Sequence, residues 1–374
     1  MEVCGTHTAA IYKYGIRSLL SPNIKLISGP GCPVCVTMSD YIDQCIEISQ
    51  LPGHELICFG DLMKIPGSKR TLSDAKAAGG RIRMVWSPFD AIALSLEAPE
   101  TTFVATAIGF ETTAPAFGLL IDEAEMRGVR NLKLITSLKS ALAAIDWICS
   151  TGEAVDAFLC PGHVSVVTGA DAYLPLAEKY SKPFIIAGFE GRHLITAIRA
   201  AAEDAYEGRF GVRNLYPEAV SAQGNKKARL VTEKYFALGD AVWRGLGNVS
   251  GSGYFLRDQA RLFFEGVARA PGEQDKQEGG ETSCCRSGSD RDHGIQEGST
   301  SVSFGVQVKQ REDFSANQGN PDGCRCGDVI LGRIDPDECP LFGYVCTPSH
   351  AIGPCMVSSE GACGYRYWER PTFQ

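Results

Sequence analysis

Four cysteines, Cys339, Cys346, Cys355 and Cys363, are spaced C-x6-C-x8-C-x7-C near the end of this 374-residue chain. From Gly323 onward the sequence is dense in Cys, Gly and Pro and shows little helical or strand periodicity. Such a segment cannot build a large apolar core, so the expectation is that a metal organises it. Thiolates gathered this tightly suit a tetrahedral zinc or an iron–sulfur cluster. Zinc sites usually show short C-x2-4-C knuckles, and the four have none. Their longer, irregular gaps suit a cubane approached from four corners. Buried structural thiols are a third reading, disfavoured by so many glycines and prolines. Cys324-Arg325-Cys326 offers alternative ligands, so spacing alone leaves the set of four open.

The chain carries 36 basic and 44 acidic residues, for a net charge of −8, which argues against nucleic acid as the main partner. The most apolar window, residues 103–121, is broken by Glu111 and Pro115, so no membrane span is expected. The start, Met1-Glu2-Val3-Cys4-Gly5-Thr6-His7, has neither a basic nor an apolar signal region, and a cytoplasmic location is expected. Fifteen cysteines in a reducing compartment read as ligands, redox thiols or buried apolar groups rather than disulfides.

An apolar run, a Gly/Pro turn and a helix-like stretch recur along the chain. The runs are residues 25–28, 56–59, 81–86, 102–108, 132–136, 157–160 and 183–187, with further helices expected over 190–206 and 226–238. Strands alternating with helices at this spacing predict parallel sheets joined by right-handed crossovers. The expected fold is α/β: two parallel-sheet α/β domains plus a small irregular C-terminal iron–sulfur domain. The boundaries are placed at 1–98, 99–240 and 241–374. Within the last, residues 271–300 have almost no apolar side chains and read as a disordered surface insertion, in which Cys284 and Cys285 are incidental.

Cys32-Pro33-Val34-Cys35 is a CxxC expected at the start of a helix, where the helix dipole favours thiolate; such pairs are redox-active or bind metal. Half of a structural zinc site is the alternative, but no second CxxC completes it. Cys4 and His7 place a thiol and an imidazole three residues apart, a pair suited to a transition metal. Glu111, in Gly109-Phe110-Glu111-Thr112-Thr113, and His163, in Pro161-Gly162-His163-Val164-Ser165, each follow an expected strand, where α/β sheets bind ligands. A helix N-terminal carboxylate and a structural histidine are their alternatives. Gly188-Phe189-Glu190-Gly191 reads only as a helix start. No GxxxxGK[ST] loop is present, so nucleotide hydrolysis has no support.

These motifs together resemble the [NiFe]-hydrogenase maturation factor HypD family. The residues that carry the likeness are Met1 to His7, Gly29 to Cys35, Gly109 to Thr113, Pro161 to Ser165 and Cys324-Arg325-Cys326-Gly327. So do Cys339-Pro340-Leu341-Phe342-Gly343 and the stretch from Cys355 to Cys363. The resemblance implies a scaffold for building the Fe(CN)2CO unit of [NiFe] hydrogenase, working with a HypC-type chaperone. HypE, with HypF, delivers cyanide, and the hydrogenase large subunit is served indirectly. It further implies a [4Fe-4S] cluster on Cys339, Cys346, Cys355 and Cys363, a redox-active pair at Cys32 and Cys35, and an iron-binding Cys4 with His7 beside it. A general iron–sulfur thiol–disulfide oxidoreductase is the alternative. Family members usually carry some tens of residues before the Cys4 motif, so a misassigned or truncated start is expected. Because residues 271–300 cannot bury apolar surface, deleting them is expected to leave cluster content and maturation activity unchanged. Iron and sulfide analysis, with hydrogenase activity in complemented cells, checks this; loss of either would show a structural element there.

Overall fold

The computed structural model describes residues 1–258, 260, 320–358 and 360–369; the expected insertion at 271–300 lies outside them. The alternating scheme folds into an α/β protein with two sheets. The larger takes β1 (His54–Cys58), β2 (Ile82–Met84), β3 (Thr102–Gly109), β4 (Leu132–Lys139), and then β8 and β9, in the order β2-β1-β3-β4-β9-β8. The smaller is a parallel sheet of β5 (Phe158–Pro161), β6 (Pro183–Ala187) and β7 (Gly211–Asn214). Strands β8 (Phe236–Trp243) and β9 (Gly247–Leu256) form an antiparallel hairpin that joins β4, so the larger sheet is mixed rather than parallel.

Side chains alternate across each strand, so a strand covered on both faces reads as a continuous apolar run. In β3, Phe103, Ala105 and Ala107 face one cluster with α4 (Asp90–Glu97) and α5 (Ala114–Met126). Val104 faces the other, with α2 (Ser39–Gln50) and α3 (Leu72–Ala77). The smaller sheet is covered on one face by α1 (Gly5–Lys13) and α9 (Gly191–Tyr206). Its other face meets α6 (Ala141–Ser150), α7 (Gly162–Thr168) and α8 (Leu174–Tyr180). That same cluster takes in Trp243, Leu246 and Val249 of the hairpin and the cysteines of the C-terminal segment. Among its described residues the segment has short helices, α11 (Cys326–Ile330), α12 (Pro354–Val357) and α13 (Ala362–Trp368), and a 3-10 turn at Pro336–Glu338.

Three features differ from the sequence expectation. The helix expected over 226–238 is α10 (Lys226–Tyr235); Phe236 already pairs with Leu256, and this pairing overrides the helix preference of Ala237 and Leu238. Residues 25–28 form no strand of their own; instead Glu2 bridges in parallel to both Ser28 and Leu159. The first residues therefore extend the smaller sheet, with Leu159 N–H donating to Met1 O at 2.8 Å and Glu2 N–H to Ile27 O at 2.8 Å. The larger sheet also crosses Pro99: β1 and β2 precede it, β3 and β4 follow it, and β1 pairs directly with β3. Residue 240 falls inside β8.

Trp243 fixes the hairpin to the core. It is fully buried, donates Nε1–H to Ser252 Oγ at 2.8 Å and stacks on Phe110 at 5.9 Å. Trp243→Ala is expected to cost about 3–5 kcal/mol. Urea denaturation checks it; a loss below about 1 kcal/mol would show the hairpin to be peripheral.

Candidate metal and thiol centre

The Cys32–Cys35 loop does not begin a helix. Residues 33–36 are turns and α2 starts only at Ser39, so the helix-dipole argument does not apply. Burial sets the chemistry instead. Both sulfurs are buried, and desolvation pushes the Cys35 thiol well above its ordinary value, with the neighbouring Cys32 and Cys355 adding to the shift. Cys32 Sγ accepts from Cys35 N–H at 3.2 Å and lies 3.1 Å from Ser358 Oγ, while the Cys35 thiol donates to Pro354 O at 3.8 Å. The CxxC loop is thus roofed by the C-terminal segment.

Cys4 approaches the same loop from the other side. It caps α1, Gly5 N–H donates to Gly31 O at 3.1 Å, and a Cβ on Gly31 would strike the Cys4 backbone nitrogen. Only glycine lets the two backbones meet this closely. The C-terminal segment reaches this helix too, through Thr6 Oγ1 donating to Glu360 Oε1 at 3.3 Å and Tyr12 stacking on Tyr365 at 5.3 Å. Burial pushes the Cys4 thiol up to about 12, so it stays protonated at neutral pH until a cation displaces the proton.

His7 is fully buried, and desolvation lowers its pKa to about 4. Its Nε2 faces Ala187 O at 3.2 Å, so the neutral ring carries its proton there. Nδ1 is buried without a hydrogen-bond partner, leaving a free lone pair of the kind a transition metal takes. Phe189 sits between His7 and His163, at ring distances of 5.1 and 4.1 Å. Tyr216 meets both Phe189 and His193, the latter with its own unpartnered Nδ1. The turn 188–191 does start a helix, but its Phe189 also joins His7 to His163. Phe189 was read from sequence only as part of a helix start, and Tyr216 and His193 were not singled out, because the sequence shows no periodic signal for such a cluster.

Glu111 stands apart from these thiols. Its carboxylate accepts from Ser140 Oγ at 2.8 Å, Ala141 N–H at 3.1 Å and Leu142 N–H at 3.5 Å. It therefore caps the N-terminus of α6, a helix N-terminal carboxylate on a helix other than the one it precedes. Burial raises its pKa. Lys139, also missed from sequence, is buried one residue before Ser140, donates to Val242 O at 3.1 Å and has its pKa lowered to about 8 by burial.

The six cysteines of the C-terminal segment are all buried. The Cys355 thiol touches those of Cys326, Cys35 and Cys363, contacts that together hold its pKa well below the ordinary range. Cys324 and Cys326 neighbour each other, and both sulfurs press on Gly353, where a Cβ would stand 2.6 and 2.7 Å from them. Ile352 N–H donates to Cys346 Sγ at 3.4 Å. Cys339 is buried in the same cluster. No three His, Cys, Asp or Glu side chains among the described residues form a ready-made ion site, so the fit to a cluster rests on the kind and burial of the donors. An all-sulfur, water-poor donor set suits iron–sulfur ligation. The thirteen described cysteines are free thiols, and Cys45, Cys58 and Cys160 are buried in strand and helix cores as apolar groups.

The buried thiols gather where the two sheets meet, and the comparisons with known proteins place the chain in a class of proteins that mature hydrogenases. The family described as "HypD: Hydrogenase formation hypA family" matches residues 1–290 and 300–369. The hydrogenase maturation factor HypD of Azotobacter vinelandii is 36% identical over 375 residues, covering 98% of this chain and 88% of that protein. HypD of Escherichia coli K12 is 36% identical over 378 residues, covering 99% and 88%. A hydrogenase expression/formation protein of Methanocaldococcus jannaschii is 33% identical over 368 residues, covering 98% and 90%. The chain belongs to the HypD family, and its role is in hydrogenase maturation. Among the described residues no helix is long and apolar enough to cross a membrane.

The His7 environment gives a pH dependence. Its folded pKa is depressed below the unfolded value of about 6.5, so the unfolded chain binds the proton first. Stability is fully present above about pH 6.5 and falls as pH drops toward 4. His7→Gln, which retains a donor for Ala187 O, is expected to flatten the melting temperature between pH 6.5 and 4.5. An unchanged slope would show that other groups set the acid sensitivity.

Proposed function

We propose that this chain is a scaffold and redox protein on which the Fe(CN)2CO unit of [NiFe] hydrogenase is assembled, with a HypC-type chaperone and with HypE, supplied by HypF, as cyanide donor. The observation that carries the reading is the meeting of three separate sequence regions at one buried place: Cys4 with His7, the Cys32–Cys35 loop, and the C-terminal thiols from Cys324 to Cys363. A thiol centre enclosed in this way shields bound iron from water.

The iron unit is the cargo. Thiolates of Cys4 and of the CxxC pair are the soft donors for it, and the free Nδ1 lone pair of His7 is a further donor in the same region. Burial keeps Cys4 protonated when the site is empty, so cargo binding releases its proton. Cys32 and Cys35 supply the redox step: their disulfide takes up two electrons and two protons to give two thiols. Cys339, Cys346, Cys355 and Cys363 would hold a [4Fe-4S] cluster, with Cys324 and Cys326 as alternative ligands. When bound, that cluster supplies one-electron transfer from an outside donor. Cys355 is the member of the quartet that touches Cys35. His163, stacked on the Phe189 ring that also meets His7, is read as a proton shuttle or a contact for the cyanide donor, while Glu111 supports the site by fixing the start of α6.

A general disulfide oxidoreductase fits less well, because Cys32 and Cys35 are each 5% exposed and a protein disulfide cannot reach them directly. The test is infrared spectroscopy of anaerobically purified protein bound to its HypC-type partner. Bands of metal-bound cyanide and CO are expected, lost in Cys4→Ala and Cys32→Ala although the brown colour stays. In Cys339→Ala or Cys363→Ala the colour itself is expected to bleach. A Cys4→Ala protein that kept the bands and full maturation activity would sink the assignment of the iron site, and rapid turnover of protein disulfides would favour the alternative.

A further inference from the structure

A groove of about 890 Å³ runs between the loop that leads into α3 and the C-terminal segment. On the loop side stand Lys64, Lys69 and Arg70, all exposed. The loop is held in shape: Gly67 N–H donates to Arg70 O at 3.0 Å, and Ser68 N–H donates to the two Asp43 carboxylate oxygens at 3.0 and 3.1 Å. The carboxylates here are spent on this backbone, since Asp74 likewise accepts from Thr71 N–H and Oγ1, each at 2.8 Å. In a chain of net charge −8, such a basic wall is a local reversal, and a field of that sign steers acidic partners. The opposite wall includes Ile352, Met356 and Ser358, with Tyr365 and a Trp368 that is 62% exposed. The buried thiols lie directly behind it. Ile352 N–H donates to Cys346 Sγ at 3.4 Å, and Ser358 Oγ lies 3.1 Å from Cys32 Sγ. One layer of residues therefore separates the groove from the thiol centre.

We propose that this groove is the docking site of an acidic one-electron carrier protein of the ferredoxin class, steered by Lys64, Lys69 and Arg70 and seated over the wall that covers the thiols. This rests on the reading of the C-terminal thiols as holders of a redox group. Each docking event oxidises the carrier by one electron and reduces that group by one. Two events, with two protons from water, supply what breaks the Cys32–Cys35 S–S bond and leaves two thiols. Electron-transfer encounters are small and electrostatically steered, which suits an open groove with a charged rim and an exposed tryptophan. A nucleotide suits it less. Phosphates are cradled by free backbone N–H groups, and those of Gly67 and Ser68 are already taken by Arg70 O and Asp43.

The probe is an acidic plant-type [2Fe–2S] ferredoxin. Its oxidised form is titrated calorimetrically into the anaerobic holoprotein, and its reduced form is mixed with the holoprotein in stopped flow, where ferredoxin absorbance reads its oxidation. Lys69→Glu with Arg70→Glu is expected to weaken binding and slow the transfer by about tenfold at low salt, while Lys69→Arg keeps the charge and both values. The difference is expected to vanish toward about 1 M salt, where charges are screened beyond about 3 Å. Dithionite, a small reductant that needs no docking, is expected to reduce the variant and the unsubstituted protein at equal rates. If circular dichroism shows that the double variant does not fold, Lys64→Gln with Lys69→Gln takes its place, with a smaller loss in the same direction. Unchanged ferredoxin affinity in a folded charge variant would overturn the proposal. So would equal slowing by ferredoxin and dithionite, or ATP binding to the groove with no ferredoxin binding. The infrared bands of the unsubstituted protein report a different site. Their absence beside normal ferredoxin binding would sink the scaffold reading alone, and their presence without ferredoxin binding would sink the docking alone.

Discussion

The docking of a weakly structured, cysteine-rich segment onto the seam between two sheets is the constraint on which the rest of this molecule depends. The segment contributes little regular structure, yet Cys324, Cys326, Val329, Ile330, Phe342, Cys355 and Met356 are buried in the same cluster as Phe158, Phe184, Ile145 and Trp243. That cluster joins the smaller sheet, the hairpin of the larger one and the CxxC loop. Neither sheet alone encloses Cys32 and Cys35. The interior they share is dry, and dryness governs the chemistry: it holds Cys4 and Cys35 protonated, keeps His7 neutral and leaves two Arg244 nitrogens without a partner among the described residues.

Much of this was legible in the sequence, for identifiable reasons. Strands β1, β3, β5 and β6 announced themselves as short apolar runs closed by a Gly or Pro turn, because strands covered on both faces leave a continuous apolar signature. The motif residues were visible because Cys, His and Gly cluster in few other ways. The hairpin was missed, since Ala237 and Leu238 suit a helix locally and only pairing with β9 makes them strand. The partition at Pro99 failed to foresee that β1 would pair with β3, because strand order is a long-range property that no local pattern encodes. The CxxC loop lacked the helix start that the motif suggested, so its thiol chemistry comes from burial rather than a dipole.

The polar interior was the least legible part. Arg244 sits in an ordinary-looking Trp-Arg-Gly turn, and nothing in its neighbours along the chain signals that its Nε and Nη2 are buried without a partner among the described residues. The imidazole cluster around Phe189 is similar, gathering His7, His163 and His193 from three helices. Both groups exist only once distant segments have met.

That distance has a consequence for the order in which the protein is made. The contact between Cys32 and Ser358 spans 326 positions, and the one between Thr6 and Glu360 spans 354. Loop closures this long come late in folding, and a ribosome releases the N-terminal part first. For most of synthesis the CxxC loop is therefore uncovered and its thiols stand open to oxidants and to free metal ions. The arrival of Pro354, Ser358 and Glu360 closes the centre, which makes enclosure of the thiols one of the last events in the birth of each molecule.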